Sequence, residues 1–69
     1  MKGFRGISEE RMRERTGRTS AEWYRILDEW GAREKGHTLA AHLLREYGLS
    51  PWWAQAVTIR WEYERGLRG

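Results

Sequence analysis

The sequence has no cysteine, so neither a disulfide nor a thiolate zinc site can stabilise it. That matters for a chain of 69 residues, which buries only about 60% of its unfolded surface. Hydrophobic runs are short, and none reaches the length of a membrane span. Met1-Lys2-Gly3-Phe4-Arg5 leads into no apolar signal-peptide segment, so a cytoplasmic protein without membrane contact is expected. Lysine is nearly missing as well: Lys2 and Lys35 stand against a large majority of arginines. The single proline, Pro51, leaves long stretches open to helix formation.

What the chain does have is aromatic bulk. Trp23, Trp30, Trp52, Trp53 and Trp61, with Tyr24, Tyr47, Tyr63 and Phe4, are the resource for a small core. Each removes roughly 150–250 Å² from water when buried, or about 4–6 kcal/mol before entropy is subtracted. The net charge is +3, and all of it lies in residues 1–19, which hold six basic and three acidic groups. A basic leader can touch nucleic acid. Its interleaved glutamates suit a solvated helix better.

Glycines and capping residues divide the chain into four helical segments forming one all-α domain over residues 1–69, with 1–7 a flexible leader. Ser8 is a cap for the first helix, with Ile7 and Met12 at the spacing of a hydrophobic staple and Gly17 at the stop. Few apolar residues mark this helix, so loose docking is expected. Thr19 and Glu22 form a capping box for the second, whose Trp23, Ile26, Leu27 and Trp30 recur at i, i+3, i+4 and i+7. Glu22, Arg25, Asp28 and Glu29 are left to solvent. Residues 32–37 read as a polar connection.

Thr38 is the expected cap of the third helix, with Ala40, Leu43, Leu44 and Tyr47 as its stripe and Gly48 at its end. Ser50 and Pro51 restart a helix over about residues 51–65. There Trp53, Ala54, Val57 and Trp61 line one side, and Trp52, Ala56, Ile59 and Tyr63 line the other. Two apolar faces make this helix central to a bundle of about four helices, or shared with another chain.

Thr16-Gly17-Arg18-Thr19, Trp23, Leu27-Asp28, Gly31-Ala32, His37 and above all Trp52-Trp53-Ala54-Gln55-Ala56-Val57-Thr58 form a pattern. With the tail Tyr63-Glu64-Arg65-Gly66-Leu67, it resembles a small bacterial helical domain family of unknown function. Members of that family stand alone or are attached to polyketide-cyclase-like domains related to activators of the Hsp90 ATPase. The resemblance covers about residues 16–68. It implies a compact helical domain and adds little chemistry.

The residues themselves offer no catalytic set. His37 and His42 are five apart, which does not bring both to one helix face for metal binding. Asp28 and Glu29 are adjacent and splay apart, and Ser8, Ser20 and Ser50 read as caps or first-turn residues. No enzyme activity, cofactor or metal is expected. The turn joining the last two helices outlines a helix-turn-helix, but its second helix would present Pro51, Trp52, Trp53 and Gln55 to a DNA groove, with Arg60 far along. Weak nucleic-acid binding is therefore the alternative. The favoured reading is a protein-interaction or accessory module, a homodimer or the companion of another protein, using Trp52, Ala56, Ile59 and Tyr63. Trp23, Leu27, Leu43, Leu44, Val57 and Trp61 are the expected core.

Overall fold

A computed structural model describes residues 8–67, and these are all-helical. α1 spans Glu9–Thr16, α2 Ser20–Trp30, α3 Ala32–Lys35, α4 His37–Glu46 and α5 Pro51–Glu64. The bundle of about four helices is therefore present, with a single extra turn, α3, inside the expected polar connection.

Three helices begin as their sequences specify. Ser8, Thr19 and Ser50 have extended backbones, and their hydroxyl oxygens accept the N–H groups of Arg11, Glu22 and Trp53. Each satisfies a donor that the first helical turn leaves without a partner. Ile7, the outer half of the staple, lies outside the described residues, but Met12 is fully buried.

α4 begins differently from expectation. Thr38 is not its cap; the helix starts at His37, after Gly36, which supplies no side-chain cap. Gly36 has φ +101°, a conformation that glycine adopts without the penalty of a Cβ. The resulting turn sets His37 on the first residue of the helix, where its ring reaches α5. At the other end, Leu49 N–H bonds to Leu44 O and Gly48 N–H to Arg45 O. This is the Schellman arrangement, and Leu49 is buried beside it.

The core gathers Met12, Trp23, Tyr24, Leu27, Ala32, Ala40, Ala41, Leu44, Leu49, Ala54, Val57 and Trp61. Five residues depart from the periodic stripes. Tyr24 is buried, whereas Ile26, Trp30 and Leu43 are half-buried and Tyr47 is 49% exposed. The inward side of α2 thus runs through Ser20, Trp23, Tyr24 and Leu27. Tyr47 packs edge-on against Trp23, with the Arg18 guanidinium over both rings. α5 is the central element, touching α2 and making its most extensive contact with α4. It buries Ala54, Ala56, Val57, Thr58, Trp61 and Glu62 around its circumference.

Candidate functional site

The four residues expected to form an interaction surface do not lie on one open face. Trp52 is 53% exposed and Tyr63 39%. Between them Ile59 is half-buried, and Ala56 is fully buried. The expected stripe is thus interrupted at its middle, and Trp52 and Tyr63 occupy opposite ends of α5. Trp53 meets Trp52 edge-on at 5.0 Å between ring centroids, and half of the pair is turned toward the core.

Beside the Trp52 end lies a cleft of about 210 Å³ between α4 and the first turns of α5. Ala41, Ala54 and Pro51 give it apolar walls, and His37, Thr38, His42, Arg45 and Gln55 supply its polar rim. His37 is held at both ring nitrogens: Nδ1 lies 3.1 Å from Glu62 Oε1, and Nε2 lies 2.8 Å from Gln55 Oε1. Glu62 is itself buried. The imidazole thereby ties the start of α4 to α5, and neither nitrogen faces the cleft without a partner from the chain. His42 is exposed and pairs with Glu46 one turn on. Arg45 is exposed and has no acidic partner among the described residues.

Sequence reading found His37 and His42 as separate residues and missed Arg45 and Glu62. Arg45 follows His42 by three residues, a spacing that places both on one helix face. Nothing in the sequence announces the Glu62 contact, which joins residues 25 apart.

Two polar networks lie away from the cleft and hold the bundle. Glu9 accepts Ser20 N–H at 2.9 Å, the Ser20 hydroxyl at 2.5 Å and Arg60 at 3.0 Å, so one carboxylate joins α1, α2 and α5. α1 is therefore docked through Met12 and Glu9 despite its scarce apolar content. Asp28, expected in water, accepts the Trp61 indole at 2.9 Å and both Nε and Nη2 of Arg65. Tyr24 Oη is buried with no hydrogen-bond partner among the described residues, and burial pushes its phenol up to about 12.

The Asp28 and Glu9 contacts make stability depend on acid. Hydrogen bonding by Arg65 holds the Asp28 carboxyl below its ordinary value, with help from Trp61 and against partial burial. For Glu9, burial pushes the carboxyl up, but the two Ser20 donors and Arg60 outweigh it and hold it down. A carboxyl depressed in the folded state adds stability that is complete above its unfolded value and fades as pH falls toward the folded one. The contribution of these two carboxyls should therefore be complete above about pH 5 and decline below about 4.5. Urea unfolding across pH 2.5–7 reads this. Asp28→Asn should flatten the acid limb, and an unchanged limb would remove Asp28 from the account.

Among the described residues, no three His, Asp or Glu side chains converge as metal ligands, and no helix is long and apolar enough to cross a membrane. Fold and surface together define a small helical domain with a cleft at one end of its central helix. The chain belongs to the family described as a domain of unknown function, DUF4287, which matches residues 9–61. The match takes in α1, which the resemblance did not cover, and ends at the buried Trp61. No curated protein and no solved structure matches the chain.

Proposed function

We propose that the domain is a protein-interaction module acting in the cytoplasm, with its contact surface centred on Trp52 at the start of α5. The observation that supports this reading is the 53% exposure of Trp52, the most exposed tryptophan of the domain, where Trp23 and Trp61 are almost completely covered and Trp30 and Trp53 half-buried. Tryptophan contributes disproportionately to protein interfaces when it is buried by a partner. The partner is a second copy of the chain or a segment of another protein. Catalysis has less support, because both nitrogens of His37 are engaged by the chain itself. DNA binding also has less support, since the first two turns of α5 carry no Arg or Lys.

Two measurements test the reading. Sedimentation equilibrium at micromolar concentration reads self-association, and selection of random peptides displayed on phage reads binding to other chains. Wild-type protein should show one or the other. Trp52→Ser should abolish it while shifting Tm by less than about 5 °C, since the indole lies largely outside the core. A wild type that neither self-associates nor retains peptides through Trp52 overturns the proposal.

A further inference from the structure

We infer that the cleft between α4 and α5 receives an acidic side chain from a peptide segment of a partner protein, with its carboxylate on Arg45 and a neighbouring apolar side chain against Trp52. This rests on the interaction reading above and names the chemistry of the partner.

The size of the cleft favours a side chain. Small-molecule and cofactor pockets occupy about 300–1,000 Å³, and this one holds about 210 Å³. Its apolar walls, Ala41, Ala54 and Pro51, accept the methylene stem of such a group. Charge then selects the sign. Of the ionisable groups at the cleft, His42 already faces Glu46 and His37 already faces Glu62. Arg45 is left without an acid among the described residues. A guanidinium at the rim of a small half-apolar cleft matches a carboxylate in charge and in planar geometry.

Position links the cleft to Trp52. Gln55 forms part of the α5 wall, and Trp52 precedes it by three residues, so the two share a helix face. A bound segment that seats its acid in the cleft therefore runs onto the exposed indole. His37 contributes by position: its contacts with Glu62 and Gln55 fix the α5 wall relative to α4.

Random heptapeptides displayed on phage, selected on immobilised wild-type, Arg45→Glu and Trp52→Ser proteins, test the assignment. Wild type should enrich peptides with Asp or Glu close to an aliphatic or aromatic residue. A synthetic peptide of that consensus should bind about three- to tenfold more weakly to Arg45→Ala, or when its acid is replaced by the amide. Arg45→Glu should select Lys or Arg at the same place, and circular dichroism should show it folded. Trp52-dependent peptides without an acidic preference, or an affinity indifferent to Arg45→Ala, overturn this inference and leave the interaction reading standing. Absence of any Trp52-dependent binding overturns both. Self-association dispersed by Arg45→Glu gives the cleft to a second copy and overturns the partner segment.

Discussion

Trp61→Ala is expected to leave the domain largely unfolded at room temperature, or close to it. Trp61 is 1% exposed in the middle of the core, and truncating a buried tryptophan to alanine costs about 3–5 kcal/mol. A chain of this length has a total stability of only about 3–10 kcal/mol. The substitution also removes the indole N–H that Asp28 accepts at 2.9 Å, leaving that carboxylate with Arg65 alone. Trp61→Phe separates the two effects, because it keeps most of the apolar bulk and deletes only the donor and part of the ring. Its loss should be about a third of that for alanine. Urea unfolding followed by circular dichroism gives both numbers. A loss below about 1 kcal/mol for alanine would mean that α5 does not bury this residue.

The second large effect concerns neighbours on α4. Leu44 is fully buried and Leu43 half-buried, although their spacing along the chain makes both candidates for the core. Leu44→Ala should cost about 2–5 kcal/mol, equivalent to a fall in Tm of about 15–35 °C for a domain of this size. Leu43→Ala should cost less than half as much, because part of its side chain is already in water. Thermal melts of the pair decide the matter. Equal losses would show that α4 is rotated toward Leu43 and that the cleft lined by Ala41 and Arg45 is wrongly placed.

That comparison shows where sequence patterns reach and where they stop. Caps are local, so Ser8, Thr19, Ser50, Gly17 and Gly48 could be read from a few neighbouring residues, and the helices they bound are present. Periodicity gives the buried side of a helix to within about one residue. It included Leu43 and Tyr47 and omitted Tyr24 and Ala41, because the boundary of a stripe depends on which helix packs against it. Ala56 illustrates the same limit: a small residue among Trp52, Ile59 and Tyr63 looks like part of an open face, yet it is fully covered.

The polar contacts were the least legible. Asp28 is exposed, as its place on α2 suggests, but its partners, Trp61 and Arg65, lie 33 and 37 residues away and leave no local signal. Gly36 hid the start of α4, since Thr38 offered the more familiar capping side chain. The cleft was invisible for a related reason. Arg45 and Gln55 sit on different helices, and only the packing of α4 on α5 makes them neighbours.

Alanines are prominent among the buried residues of these two helices. Ala40 and Ala41 on α4 and Ala54 on α5 are all buried, and small side chains at a helix crossing allow the axes to approach closely. Alanine has no rotamers to rearrange. Where Ala41 and Ala54 line the cleft, its wall therefore has no side-chain rotamer to order. The ordering entropy that a guest subtracts from its affinity on the host side falls instead on the rim side chains, Arg45 above all.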